Sequence, residues 1–88
     1  MGKWISTDLV DTIEFTSEKD LYKMFSGVRD HFEYTLLDDK IKIGYNGMLY
    51  ILVPPTIHNF ELKGNQLTID FRPHCYGFRS SEITFKRQ

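Results

Sequence analysis

The sequence contains a single cysteine, Cys75, so an internal disulfide framework is excluded. One thiol leaves the compartment open, because it suits a cytoplasmic protein and an unbridged exported domain equally well. No apolar run approaches the ~18 residues of a membrane span, and no secretory signal opens the chain. We therefore expect either a cytoplasmic protein or an exported one whose targeting segment has been removed.

The chain also lacks an excess of charge of either sign. Eleven Lys and Arg residues stand against twelve Asp and Glu residues, which gives a net charge of −1, and the two signs are interspersed. Nucleic-acid binding requires a basic face or stripe, so this class of partner is not expected.

The main positive feature of the sequence is a regular alternation of apolar and polar residues. Its 88 residues are 41% hydrophobic and 15% aromatic, which is enough for one domain, 1–88, with a small core. Successive side chains of a strand point to opposite faces, so the alternation is typical of an antiparallel sheet with one covered face. Sixteen residues are predicted to face inward: Trp4, Ile13, Phe15, Phe32, Tyr34, Leu36, Ile41, Ile43, Tyr45, Phe60, Leu62, Leu67, Ile69, Phe71, Ile83 and Phe85.

Short polar segments separate the alternating runs and predict tight turns. The segments 37–40 and 63–66 indicate hairpins, and Gly64 with Asn65 gives the stronger signal because both residues tolerate positive φ. Strands are predicted over 3–7, 12–17, 20–25, 31–37, 40–45, 48–53, 57–63, 66–72 and 82–87, and the state of 75–79 is left open.

Residues 18–26 fit two structures. Ser17 can begin a helix in which Leu21 and Met24 share a face. Gly27 follows too closely for more than about two turns of helix, which favours a strand. A short helix near 18–26 remains the alternative.

The fold class that follows is all-β, an up-and-down antiparallel meander of short strands. Such a sheet must hide both its apolar face and its edges. Closure into a small barrel does both, and a half-barrel is the alternative.

The residue types that bind metals are too scattered for a recognisable motif. His31 and His58 lie far apart in the sequence, and only His74 and Cys75 are adjacent. Structural zinc takes four ligands, so we predict no metal site and no cofactor. Cys75 is interpreted as a small buried apolar residue beside a surface imidazole.

Candidate acid–base residues lie in predicted turns. Asp38 and Asp39 occupy a hairpin tip, and Asp8 and Asp11 flank another turn. Aspartates in turns usually bind the local backbone, and solvated carboxylates lack the desolvation that tunes a catalytic pKa. Enzyme activity is therefore not predicted.

Residues 48–53 break the alternation, because six consecutive apolar residues precede Pro54 and Pro55. They cannot all face one interior, so either another segment covers this strand or it contacts a ligand or partner. Tyr22 and Met24, if they lie in a strand, add apolar side chains to the same outer side. The candidate binding residues are Tyr22, Met24, Met48, Tyr50 and Leu52.

Several segments together resemble a known family. They are the opening 2–4, the strand 13–15, the hairpins 32–43 and 60–71, and the closing segment 83–87. In this respect the chain is similar to the small lipocalin-like lipoproteins of Bacteroides-type bacteria. True lipocalins are much longer, so the resemblance implies a shortened barrel.

The resemblance implies that Trp4 closes one barrel end beneath Lys86 or Arg87, in a cation–π contact. It also implies export as a periplasmic or outer-membrane lipoprotein, with membrane contact only through a lipid anchor that this chain does not carry. We expect a non-catalytic binding domain for a small hydrophobic ligand. The alternative is a protein-interaction or homodimerising domain with a filled barrel that uses 48–53, because sixteen large side chains leave little room inside.

Overall fold

The computed structural model describes residues 2–25, 27–47 and 53–88 and confirms the all-β barrel. Each strand pairs antiparallel with its neighbours in sequence, and β1 pairs with β8, so the sheet is closed. No helix within the described residues is long and apolar enough to cross a membrane. The strands are β1 (Gly2–Ser6), β2 (Thr12–Phe15), β3 (Asp20–Phe25), β4 (Val28–Leu37), β5 (Lys40–Tyr45), β6 (Thr56–Lys63), β7 (Gln66–Asp70) and β8 (Glu82–Arg87).

The segment that fitted both helix and strand is β3. Leu21 pairs with Phe15 of β2 on one side and with Phe32 of β4 on the other. A central strand satisfies its backbone groups through both neighbours, and this outweighs the helical spacing of the apolar side chains. The helix alternative for 18–26 is wrong. The strand predicted at 48–53 falls almost entirely on 48–52, which lie outside the described residues, and Val53 is not in a strand.

The antiparallel order gives the barrel two different ends. At one, the termini end, lie the chain termini and the short turns 16–19, 38–39 and 64–65. At the other, the loop end, lie the connections 7–11 and 71–81, together with the ends of β3 and β5 and the beginnings of β4 and β6. The two longest connections that the structure describes in full therefore belong to one end.

Most of the predicted inward residues form the core. Eleven of the sixteen are buried, and Phe15, Tyr45 and Phe60 are partly buried. Leu36 and Leu62 are 59% and 52% exposed, so their expected burial is wrong. Both are the last inward positions before a hairpin turn, and no described residue covers them there.

The connection 71–81 fills the interior at the loop end. Phe78 stacks on Phe71 with ring centroids 4.3 Å apart, and its ring lies 5.3 Å from that of Phe32. Gly77 makes this approach possible, since a Cβ at its position would lie 2.8 Å from Phe32 Cζ. Cys75 is buried in the same connection, and burial raises the pKa of its thiol.

A buried carboxylate ties this connection to the barrel wall. Arg79 donates to Asp11 through Nε at 2.8 Å, and its Nη2 lies 2.6 Å from the same carboxylate. Lys23 Nζ lies 3.5 Å from the other Asp11 oxygen. Two cations thus balance the charge of a side chain that is 3% exposed, as a buried carboxylate requires.

His58 is a core residue that the alternation did not mark as inward. Its Nδ1 donates to the carbonyl of Asp70 at 2.9 Å, and Nε2 accepts from the Thr56 hydroxyl at 2.7 Å. The bond to Asp70 joins β6 to β7, and the bond to Thr56 is made within β6. Both ring nitrogens are therefore used, and neither is left for a ligand.

Removal of the Phe78 ring should destabilise the fold strongly. Phe78→Ala loses its contacts with Phe71 and Phe32 and leaves a cavity, so we expect a loss of about 3–5 kcal/mol in the free energy of unfolding. Urea denaturation measures it. Ile57→Ala is the control, because Ile57 is half exposed on the outer face of β6, and its cost should be about 1 kcal/mol or less. Equal losses would contradict a structural role for Phe78.

Asp70 supports the start of the connection 71–81 in a pH-dependent way. Arg72 donates to both carboxylate oxygens at 2.8 Å, and this pairing lowers the pKa of Asp70 from 3.8 to about 2. A lowered pKa contributes stability above pH 4 that disappears as the pH falls through about 2.

Asp70→Asn should consequently be less stable than the wild type near neutral pH and approach it in strong acid. The difference between their urea midpoints, followed from pH 6 to pH 2, measures this. A difference that stays constant over the range would show that the carboxylate pairing contributes nothing.

Candidate functional site

The termini end of the barrel carries an open apolar depression, which we call the mouth. It measures about 150 Å³ and is lined by eight uncharged residues and one arginine: Trp4, Phe15, Tyr34, Leu36, Ile41, Phe60, Leu62, Leu67 and Arg87. The turns at this end are too short to fold over it, whereas the connection 71–81 fills the opposite end. The mouth is therefore the apolar surface that points along the barrel axis into solvent.

Two leucines form the exposed rim of the mouth. Leu36 pairs with Ile41 in the β4–β5 hairpin, and Leu62 pairs with Leu67 in the β6–β7 hairpin. Ile41 and Leu67 are buried, while their leucine partners are more than half exposed. Burial of the two leucines by a bound group would stabilise a complex by roughly 1 kcal/mol for each half-covered side chain.

Aromatic side chains form the floor of the mouth. The Tyr34 hydroxyl donates to the carbonyl of Ser17 at 2.7 Å, and its ring meets Phe15 edge-on at 4.9 Å. Burial raises the pKa of the Tyr34 phenol, so it stays protonated and engaged with the backbone. The floor is thus a fixed apolar surface.

Trp4 and Arg87 meet where β1 pairs with β8. They are direct cross-strand partners, and Arg87 Cζ lies 4.8 Å from the Trp4 ring centroid. Of the two basic residues that the resemblance allowed above Trp4, Arg87 is the one in contact. The indole is buried beneath it, and the guanidinium remains exposed at the rim.

Tyr22 and Met24, predicted as binding residues, lie elsewhere. They are on the outer face of β3, where Tyr22 stacks on His31 at 4.8 Å and lies 4.2 Å from Arg29 Cζ. Met24 pairs with Arg29 of β4. The other three predicted residues, at positions 48, 50 and 52, lie outside the described residues. The barrel wall separates Tyr22 and Met24 from the mouth.

Near Tyr22, a serine, an aspartate and a histidine come together without the order of a catalytic triad. His31 Nε2 lies 2.7 Å from Asp20, but the Ser17 hydroxyl donates to the same carboxylate at 2.8 Å instead of to the imidazole. Both hydrogen bonds lower the pKa of Asp20, and the hydrogen bond from Ser17 has the larger effect. Because Ser17 Oγ also accepts from the backbone N–H groups of Lys19 and Asp20, the group stabilises the β2–β3 turn.

The potential metal ligands are not brought together. His58 is engaged on both nitrogens, and His74 is exposed beside the buried Cys75. Within 2–25, 27–47 and 53–88, no three His, Cys, Asp or Glu residues form a group that could hold a metal ion.

Further exposed apolar side chains lie at the loop end. Leu9 and Val10 in the first connection, and Phe25 and Val28 beside the β3–β4 turn, are all more than half exposed, and we call these four residues the apolar tip. Leu9 is 81% exposed and has a φ of 63°, an unusual conformation for leucine. Asp8 beside it accepts from Ser6 and Arg79, and these bonds lower the pKa of its carboxyl.

Sequence reasoning placed Leu36 and Leu62 in the interior and so missed the mouth. The signal that could have identified it is their position, because each is the last inward residue before a tight turn. Comparisons with protein-family models, with curated proteins and with solved structures find no match to this chain.

Proposed function

We propose that this chain is a non-catalytic binding domain that takes up a small apolar group at the mouth. The observation that carries the proposal is the exposure of Leu36 and Leu62 at the rim of a depression. Its other walls are buried or partly buried aromatic and aliphatic side chains, together with Arg87. An apolar surface that is concave and open to solvent is the usual form of a small-molecule site.

The size of the mouth limits its ligand. A volume of about 150 Å³ is below the ~300 Å³ of an ordinary drug-sized pocket, and it suits about one aromatic ring. Phe32, Phe71 and Phe85 occupy the space beneath and are almost fully buried. A ligand would therefore bind at the end of the barrel and would not be enclosed in its interior.

The side chains at the mouth favour binding over catalysis. The guanidinium of Arg87 offers N–H donors and no acceptor, which suits the binding of an anion. The Tyr34 hydroxyl already donates a hydrogen bond to the Ser17 carbonyl. The resemblance to lipocalin-like lipoproteins favours the same function, and with it export from the cytoplasm.

Toluene is the probe for this proposal, because it has one ring and no polar group. Its titration into the labelled protein should shift the backbone amide signals of the β4–β5 and β6–β7 hairpins. Leu62→Ser should weaken binding roughly fivefold, through loss of about 1 kcal/mol of apolar contact.

Ile57→Ser is the matched control, since Ile57 is 50% exposed on the same strand but on its outer face. It should bind toluene like the wild type. If toluene shifts no signals around the mouth, or if both variants weaken binding equally, the proposed function is wrong.

Association with a second copy is the other candidate function, and the apolar tip favours it. Four exposed apolar side chains at one end of an 88-residue domain form the kind of surface that protein contacts cover.

This candidate predicts a dimer that depends on the tip. Sedimentation velocity of the wild type should show a concentration-dependent dimer, and the double variant Leu9→Ser, Val28→Ser should be monomeric. Leu62→Ser, at the opposite end, should leave the dimer intact. A wild type that sediments as a monomer at all concentrations would exclude self-association.

A further inference from the structure

We propose that the ligand of the mouth is a small monocarboxylate, an aromatic ring or short acyl group whose carboxylate pairs with Arg87. This inference rests on the proposed binding function and adds the chemical class of the ligand. It starts from the charged side chain at the rim, because the apolar walls alone cannot select among apolar molecules.

Arg87 differs from the other three arginines in what it contacts. Arg72 and Arg79 each bind a carboxylate within 2.9 Å, and Arg29 lies 3.4 Å from Glu14. In the part of the chain that the structure describes, the Arg87 side chain has no ion pair and no hydrogen bond, and its guanidinium rests against the ring of Trp4. Its N–H donors are therefore available to a ligand.

The position of Arg87 is fixed from two sides. Its backbone N–H donates to the carbonyl of Asn65 at 2.9 Å, at the β6–β7 turn. Its pairing with Trp4 also holds it beside β1, so the side chain projects from the sheet where the first and last strands meet. A guanidinium anchored in this way loses less conformational freedom on binding than a side chain on a mobile loop.

The charge of the mouth is complementary to an anion. Among the described residues, Arg87 is the one charged residue that lines it, and the remaining walls are apolar or hold a hydroxyl already in use. A guanidinium can form two parallel hydrogen bonds to a carboxylate, and the bonds strengthen where neighbouring apolar surface excludes water. The ring or acyl group would then cover Leu36 and Leu62 while the carboxylate reaches Arg87.

Three probes of similar size separate the contributions. Toluene tests the apolar walls, benzoate adds a carboxylate, and benzamide replaces the carboxylate by an uncharged group of nearly the same shape. Amide shifts of the labelled protein give the dissociation constant of each. We expect benzoate to bind at least about fivefold more tightly than benzamide, because hydrogen bonds between charged groups are usually stronger than those that involve an uncharged partner.

Arg87→Gln should lower the affinity for benzoate to that for benzamide. Arg87→Lys, which keeps the charge but lacks the paired donors, should give an intermediate value. Lys86→Gln is the matched control, because it removes the same charge from the neighbouring position, which alternates to the outer face of β8. It should bind benzoate like the wild type.

The outcomes are distinct. If toluene binds but benzoate binds no better than benzamide, the carboxylate inference is wrong and the apolar binding function stands. The inference is also wrong if Lys86→Gln weakens benzoate as much as Arg87→Gln does, since the attraction would then depend on overall charge alone. If none of the three probes shifts the signals around the mouth, both the inference and the proposed function fail.

Discussion

Where β1 pairs with β8, the sheet loses its last free edges, and the rest of the structure depends on this pairing. Ladder contacts join Trp4, Ile5 and Ser6 to the end of β8, and the N–H of Gln88 donates to the carbonyl of Lys3. An open eight-stranded sheet would expose two unpaired backbone edges and one whole apolar face to water. Closure removes both costs together, but it also encloses a space that side chains must fill to normal packing density.

The space is filled from one end, which gives the barrel its asymmetry. Four to ten residues per strand are too few for the inward side chains to seal both ends. The connection 71–81 supplies Phe78 and Cys75 to the interior, and Asp11 fixes it through Arg79. The turns of the termini end are short and polar, so they contribute no equivalent cover. The mouth is thus what remains when one end of a short barrel is sealed and the other is not.

Much of this fold could be predicted from the sequence, because period-two alternation acts locally. It identified the eight strands that the structure describes and most of the core. It failed where burial depends on contacts with residues that are distant in the sequence. Leu21 was hidden by a competing helical spacing, and His58 by its polarity, which only the bonds to Thr56 and Asp70 satisfy. Phe78 lies in a connection without regular periodicity. Nothing local distinguishes a residue that folds back into the barrel from one that stays in solvent.

The candidate site was less predictable for the same reason. Alternation shows that Leu36 and Leu62 face the axis, but their exposure depends on how far each hairpin extends beyond its neighbours. The predicted positions Tyr22 and Met24 were chosen for apolar character, and they lie on the outer wall, where Arg29 and His31 cover Tyr22. The Trp4–Arg87 contact followed from the resemblance, whereas its place at the edge of an apolar depression required the structure.

The two roles of Arg87 can be separated energetically. An exposed cation–π contact contributes roughly 0.5–1 kcal/mol, a small part of the ~5–15 kcal/mol that stabilises a typical domain. The backbone bond of Arg87 to Asn65 does not depend on its side chain, and neither does the pairing of β1 with β8. Loss of the guanidinium should therefore leave the barrel closed. The indole of Trp4 belongs to the core, while the cation above it is not required for closure, so the same junction closes the fold and places a charge at its open end.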